Sequence, residues 1–139
     1  MAGRAFDGYL GHYNTDPRLD REKVAQIYPS WAARATADRA VADQVLVAES
    51  GGRIAGFGAL KAMGDGVVDA MLYAVDPAHR GRGLYRDLLA GSLAWSRGAG
   101  FARIEYSTQL ANTAAQAAVL KLGFLPHRSS YTFHRWFDE

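Results

Sequence analysis

The stretch Val75–Leu89 constrains the fold of this chain more than any other. An apolar, strand-like run ends at Pro77, a basic turn with two glycines follows, and an amphipathic helix begins directly after it. The start of a helix leaves backbone N–H groups without partners, and the helix dipole favours negative charge at that end. Glycines let the main chain approach a ligand closely, and arginines add cationic donors. We therefore expect a pyrophosphate-binding turn, made of Arg80, Gly81, Arg82 and Gly83.

The turn differs from two better-known phosphate-binding loops. The string G-x-x-x-x-G-K-[ST] of a Walker loop does not occur in the sequence, and the dinucleotide pattern G-x-G-x-x-G would need glycine at Arg86. An ordinary strand–helix turn with solvated arginines is the alternative interpretation. The position of both arginines inside the glycine turn favours the phosphate site.

Length and composition indicate a single domain over residues 1–139. The chain is 49% hydrophobic and 22% charged, with a net charge of +2. This mild basicity suits a phosphate-bearing ligand and is too weak and too dispersed to indicate nucleic acid. The sequence contains no cysteine, which excludes disulfides, zinc–thiolate sites and a cysteine nucleophile. We expect no metal, no membrane span and a cytoplasmic location.

The hydrophobic pattern predicts a mixed sheet with helices on both faces. Asp20 is expected to cap a helix, and Pro29 should divide residues 20–38 into two short helices. Gly51 and Gly52 form a predicted hairpin turn. The other predicted elements, in chain order, are strands at 44–49, 53–60 and 67–75, a helix at 84–97, a strand at 102–107, a helix capped by Asn112 and ending at Gly123, and an aromatic strand at 131–137.

Two motifs resemble those of the GNAT N-acetyltransferase family. The pattern [RQ]-x-x-G-x-[GA] matches at Arg80 and Gly83, although Tyr85 stands where glycine or alanine is usual. The pattern N-x-x-A-x-x-x-Y-x-x-x-G-F is in register at Asn112, Ala115, Gly123 and Phe124. The resemblance covers about residues 15–137. It implies an α/β fold with a mixed, mostly antiparallel sheet and one splayed pair of parallel strands.

Two further strings resemble one branch of that family. They are Asp16–Asp20, with Trp31 on the following helix, and Tyr131–Phe137. Both are similar to segments of the N-acetyltransferases that act on dTDP-4-amino-4,6-dideoxygalactose (dTDP-fucosamine). An amino sugar or a sugar nucleotide is therefore the first acceptor to consider.

The resemblance implies that acetyl-CoA lies between the two splayed strands, one ending at Val75 and the other holding Tyr106. A bulge near residues 72–75 would direct one N–H toward the thioester oxygen. Asn112 would hold the cofactor through its side-chain amide, and a plain helix cap is an equal alternative. The implied cofactor-binding residues are Leu72, Tyr73, Ala74, Val75, Arg80, Gly81, Arg82, Gly83, Leu84, Tyr85 and Asn112.

Asp69 is the expected base, because an alkylammonium is almost fully protonated at neutral pH and must lose a proton to attack. A solvated, outward-facing Asp69 is the alternative, and Glu105 is the second candidate. The family's usual general acid is a tyrosine at the position of Val119, which has no proton to give. Tyr131 and Tyr73 are the tyrosines expected to reach the site instead, and a thiolate can also leave without an acid.

Members of the family usually begin with a strand and a long helix, of which only residues 5–13 offer a remnant. We expect the first strand to be missing or shortened, and the uncovered sheet edge to pair in a homodimer. The resemblance implies an enzyme that transfers an acetyl group directly from acetyl-CoA to a small-molecule amine in a ternary complex, since no cysteine can carry it. A non-catalytic acyl-CoA-binding module, favoured by Val119, is the alternative.

Overall fold

A computed structural model describes residues 1–9 and 11–137 of the protein. Four strands form one sheet in the order β1-β2-β3-β4, where the first three are antiparallel and β4 runs parallel to β3. The strands are β1 (Gln44–Ser50), β2 (Arg53–Gly64), β3 (Val67–Val75) and β4 (Arg103–Tyr106). The helices are α1 (Ala2–Ala5), α2 (His12–Thr15), α3 (Arg21–Ala37), α4 (Leu84–Gly98) and α5 (Thr113–Lys121). The predicted mixed sheet with one parallel pair is confirmed.

Helices cover both faces of the sheet, as expected. Two core clusters show this, one on each face. The first joins α1 and α3 to the sheet and contains Ala5, Ala32, Ala35, Phe57, Leu72 and Ala74. The second joins α4 and α5 to the sheet and contains Leu60, Val68, Ala70, Tyr73, Leu88, Leu89 and Val119. The parallel strands are therefore fixed between two helical layers, which holds their ends rigidly.

A bulge in β3 sets which side chains reach each layer. The pairing with β2 passes over Met71, which is an extra residue of β3. Because side chains alternate along a strand, one extra residue inverts the alternation. Val68 and Ala70 pack on the side of α4 and α5 before the bulge. Tyr73 and Val75 pack on that same side after it, so the predicted bulge lies one residue before the expected range.

The predicted division of α3 at Pro29 is wrong. One continuous helix runs through the proline, and Asp20 caps it by accepting from the N–H of Glu22 at 2.9 Å. A proline inside a helix costs about 3 kcal/mol, because it removes one hydrogen bond and crowds the preceding turn. Buried residues on both sides of the proline, among them Val24 and Ala32, anchor the helix to the core and offset that cost.

The predicted strand at 131–137 is also wrong, because this segment is irregular. Its side chains attach to the link between α2 and α3 rather than to a sheet edge. The Nδ1 of His134 lies 2.5 Å from Asp16 Oδ2, and the indole of Trp136 donates to the same oxygen at 3.0 Å. The bond from His134 lowers the pKa of Asp16. Without a neighbouring strand, the aromatic and branched residues have no partner ladder to join.

Residues 5–9 and 11–13, which the structure describes, form no strand. They contain the end of α1 and the start of α2, and within the described residues the first strand begins at Gln44.

We expect Gly58→Ala to lower the free energy of unfolding by about 1–3 kcal/mol, because it overpacks the core. An added Cβ would lie 2.8 Å from Cδ1 and 2.9 Å from Cζ of Tyr73, its partner across the sheet. Gly98→Ala is the matched control, since its Cβ meets nothing within 4 Å on α4. That change should stabilise the helix by up to about 1 kcal/mol. Urea unfolding measures both, and equal effects of the two variants would contradict the packing described.

Candidate active site

The parallel strands open into a V after their last paired residues, Ala70 and Tyr106. Strand β4 ends at Tyr106, whereas β3 continues from Met71 to Val75. Along its other edge, this part of β3 remains paired with β2. Its β4-facing edge has no strand partner among the described residues, so an extended ligand could bind there as an added strand would.

The turn between β3 and α4 leaves backbone N–H groups without acceptors in the described part of the chain. Gly81 and Gly83 have φ angles of +75° and +83°, which only glycine adopts without strain. In the part of the chain that the structure describes, no hydrogen-bond acceptor is found for the N–H groups of residues 81–86. An added Cβ at Gly81 would meet nothing within 4 Å, so the turn is open to a ligand. This is the geometry of an anion-binding helix N-terminus.

The arginines of the turn differ in their surroundings. Arg80 donates to the carbonyl of Ala5 at 2.9 Å, which ties α1 to the turn. Arg4 reinforces that contact through Asp76, with 2.6 Å between Nη2 and Oδ2, and this bond lowers the pKa of Asp76. Arg82 is exposed beside the open N–H groups. Of the two arginines, Arg82 is therefore the one that lies free of the N-terminal segment in this conformation.

A cluster of tyrosines lines the narrow end of the V. The hydroxyl of Tyr73 is 2.6 Å from Ser92 Oγ in the core, and Tyr73 is only 8% exposed. The hydroxyls of Tyr85 and Tyr106 are 2.5 Å apart, and both rings lie 6.1 Å from that of Tyr73. Burial raises the pKa of Tyr73 to about 12 and also raises the pKa of Tyr85. Both therefore remain protonated at neutral pH.

Asn112 is the cap of α5, as one of its two interpretations predicted. Its Oδ1 accepts from the N–H of Ala115 at 3.2 Å, and its Nδ2 donates to Thr108 Oγ1 at 3.1 Å. Nearby, the hydroxyl of Tyr9 donates to the side-chain oxygen of Gln109. The N-terminal segment thus reaches the loop that follows β4, and a cofactor-binding role for Asn112 stays a prediction.

Asp69 and Glu105 are paired across β3 and β4, on the face opposite to that of Tyr106. Asp69 is half-buried rather than fully solvated. Burial, and then the charge of Glu105, raise the pKa of Asp69. Glu105 is held by Arg103 at 3.0 Å. A carboxylate with a raised pKa is a stronger base than a freely solvated one.

The two tyrosines predicted as acids lie in contrasting places. Tyr131 is 83% exposed on the irregular C-terminal segment, while Tyr73 is buried with its hydroxyl on Ser92. Val119 is buried in the α4–α5 cluster. Sequence reasoning missed the bond between Tyr85 and Tyr106. The alternation of Ile104 and Tyr106 on β4 is the signal that could have placed Tyr106 on the side of α4 and α5.

Two negative findings apply to residues 1–9 and 11–137. These residues contain no group of three or more histidine, cysteine, aspartate or glutamate side chains placed to hold a metal ion. None of their helices is long and apolar enough to cross a bilayer.

Several solved structures share this fold. The ribosomal-protein-S18-alanine N-acetyltransferase from Escherichia coli is 25% identical, with a TM-score of 0.58 over 61% of this chain and 54% of that one. The aminoglycoside N-acetyltransferase AAC(6')-Iy, solved in complex with CoA, is 23% identical, with a TM-score of 0.56 over 66% and 65%. The aminoglycoside 6'-N-acetyltransferase AAC(6')-Ig from Acinetobacter haemolyticus is 18% identical, with a TM-score of 0.57 over 82% and 83%.

The chain spans only 54% and 65% of the length of the first two of these structures. No curated protein matches its sequence. The model of the acetyltransferase (GNAT) family, however, matches residues 9–124, which is most of the chain. The V between β3 and β4 and the open turn before α4 lie within that match. The chain belongs to the GNAT acetyltransferase family.

Proposed function

We propose that this protein is an N-acetyltransferase that uses acetyl-CoA to acetylate the primary amine of a small molecule. One observation carries the proposal: the unpaired edge of residues 71–75 and the open N–H groups of residues 81–86 lie on one path along the chain, separated only by residues 76–80. A diphosphate suits the first and an extended, amide-containing arm suits the second. Acetyl-CoA has both parts, and it supplies the acyl group as a thioester.

The cofactor-binding roles follow from this path. The backbone of Leu72–Val75 would pair with the pantetheine arm, and the turn Arg80–Tyr85 would hold the diphosphate. The bulge at Met71 breaks the regular ladder at the narrow end of the V, where an N–H could face the thioester oxygen. A donor of that kind typically lowers the barrier by about 3–4 kcal/mol.

On the amine side, Asp69 is our proposed base. We expect Asp69→Asn to lower kcat/KM by about 100-fold or more at neutral pH, because the attacking amine loses its proton acceptor. The pKa of Asp69 is raised by burial, so the wild-type enzyme loses its base as the pH falls through that value. The difference between the two enzymes should therefore narrow on acidification.

Steady-state kinetics over a range of pH measures the ratio of kcat/KM between the wild-type enzyme and Asp69→Asn. The control is Glu49→Gln, on the exposed side of β1. Both variants remove one carboxylate, but only Asp69 lies on the strand that borders the V. Equal kcat/KM for Asp69→Asn and the control would remove Asp69 from the mechanism.

An amino sugar or a sugar nucleotide bearing a primary amine is the acceptor that we propose to test first. The two strings that resemble the dTDP-fucosamine N-acetyltransferases touch each other, since Asp16 accepts from both His134 and Trp136. This contact supports treating them as one unit beside α2. A thiol-release screen of amines with acetyl-CoA tests the proposal, and turnover only with other amines would overturn the choice of acceptor.

A non-catalytic acyl-CoA-binding module is the second candidate, and the buried Val119 favours it. In that case acetyl-CoA would still raise the melting temperature, because it binds the folded state. No amine in a broad panel would be acetylated. The thermal-shift and thiol-release measurements together therefore separate the two functions.

A homodimer is the assembly that we propose. Strands β1 and β4 lie at the two edges of the described sheet, and Tyr131 and Phe133 are 83% and 88% exposed. Unpaired edges and exposed aromatic side chains both favour association. Light scattering tests this, and a monomer mass that does not change with concentration would contradict it. The cytoplasmic location stays a prediction.

A further inference from the structure

We propose that Tyr106 is the general acid of this protein, giving its proton to the sulfur of CoA in place of the hydroxyl that Val119 lacks. The inference rests on the acetyltransferase function proposed above. Three observations support the inference: the position of Tyr106 in the V, the direction of its side chain, and the partner of its hydroxyl.

Tyr106 stands where the parallel strands part. It is the last residue of β4 and is paired with Ala70, the residue that directly precedes the bulge at Met71. Any thioester whose oxygen is bound at the bulge has its sulfur at the narrow end of the V. Tyr106 is the residue on the opposite strand at that level.

The side chain of Tyr106 enters the layer that contains Val119. Ile104 and Tyr106 alternate with Glu105 along β4, and both pack against the core cluster that includes Val119. Tyr106 therefore brings a phenol from the strand to the region where a tyrosine on α5 would place one. Unlike Val119, it is only partly buried, so a ligand can reach it.

The ring of Tyr106 is fixed by its neighbours. Its hydroxyl is 2.5 Å from that of Tyr85, and its ring packs edge-on against Tyr73 and Phe124, with centroids 6.1 Å and 6.4 Å away. The titratable groups that face it are Tyr9, Tyr73 and Tyr85. All three are phenols, and the nearest carboxylate on β3 is that of Asp69, which directly precedes the partner of Tyr106 and whose charge acts on Tyr73.

The other tyrosines near the site are less suited to the role. Tyr73 has its hydroxyl on Ser92 inside the core, and that of Tyr9 is bonded to Gln109. Tyr131 lies exposed on the C-terminal segment. Tyr106 alone among these tyrosines combines a place at the end of β4 with a hydroxyl whose partner is another phenol.

The proton balance of the step is simple. The amine nitrogen bonds to the carbonyl carbon, the C–S bond breaks, and its electron pair stays on sulfur. The O–H of Tyr106 then gives its proton to sulfur, and CoA leaves as a thiol. The O–H of Tyr85 stabilises the phenolate of Tyr106 by hydrogen bonding. The proton released by the amine then reaches that phenolate through solvent and restores the phenol of Tyr106.

The test uses the pKa of the CoA thiol bound to the protein, read from the ultraviolet absorption of the thiolate, with desulfo-CoA as the blank. A phenol that donates to the thiolate stabilises it, so Tyr106→Phe should give a bound thiol whose pKa is about 1–2 higher than in the wild-type complex. The value of kcat should fall about 100-fold. CoA affinity at low pH, where the thiol is neutral, should be unchanged.

Two further variants keep the test decisive if Tyr106→Phe folds poorly. Tyr85→Phe should raise the pKa of the bound thiol by a smaller amount, because Tyr85 is a positioning residue that acts through Tyr106. Tyr28→Phe should leave that pKa at its wild-type value, since Tyr28 packs against the cluster of α1 and α3 on the other face of the sheet. An unchanged thiol pKa in both Tyr106→Phe and Tyr85→Phe would overturn the proposal. Failure of the wild-type protein to bind CoA, or to acetylate any amine, would instead overturn the proposed function.

Discussion

Gly83→Glu is expected to weaken the binding of acetyl-CoA by about 100-fold or more, equivalent to about 3 kcal/mol. Gly83 directly precedes α4, in the turn whose N–H groups have no acceptor among the described residues. A glutamate there adds a negative charge beside the bound diphosphate and fills part of the space that it needs. The φ of +83° adds backbone strain of about 1–2 kcal/mol. Isothermal titration calorimetry with acetyl-CoA measures the effect.

Gly100→Glu is the matched control for this variant. Gly100 follows α4 at its other end and has a φ of +82°. An added Cβ there would meet nothing within 4 Å, and at Gly83 it would make only ordinary contacts, at 3.6 Å or more. Gly100→Glu therefore carries the same strain and the same charge change far from the turn. Its affinity for acetyl-CoA should equal that of the wild-type protein. Equal losses in both variants would show that strain or net charge, and not the turn, controls binding.

Leu89→Ala is expected to lower the free energy of unfolding by about 2–5 kcal/mol, through lost apolar burial and the cavity that remains. Leu89 is 0% exposed and joins α4 to the sheet. Domains of this kind have a total stability of about 5–15 kcal/mol, so the loss is a large fraction of it. Urea denaturation followed by circular dichroism measures the change.

Leu120→Ala is the control, because Leu120 is 52% exposed on α5. Removing the same atoms from this surface position should change stability by no more than about 1 kcal/mol. Similar losses at both positions would contradict the described core, in which α4 packs directly on the sheet.

Local signals in the sequence predicted most of the fold. The Asp20 cap, the turn at Gly51 and Gly52 and the strand Val67–Val75 are confirmed, because each depends on a few adjacent residues. The continuous helix through Pro29 depends instead on tertiary packing that no local pattern contains. The segment 131–137 is rich in aromatic residues, which favour strands, but a strand also needs a neighbour, and the sequence does not show which edge is free.

The candidate site likewise combines local features that the sequence predicted with long-range contacts that it did not. The turn before α4 is formed by consecutive residues, so its glycines and its open N–H groups could be predicted. The contact of Arg80 with Ala5 joins residues that are far apart in the chain, as does the bond between Tyr85 and Tyr106. Such contacts depend on how the elements pack together. The sequence alone therefore pointed to Tyr73 and Tyr131 for the acid.

The binding of a diphosphate by the turn before α4 is the claim on which the other proposals depend. Amide chemical shifts, followed during titrations with acetyl-CoA and with S-acetylpantetheine, test it most directly. We predict that acetyl-CoA shifts the amides of residues 81–86 more than any others, and that S-acetylpantetheine, which lacks the diphosphate, leaves them unchanged while shifting those of residues 71–75. Amides 81–86 that do not respond to saturating acetyl-CoA would contradict the account.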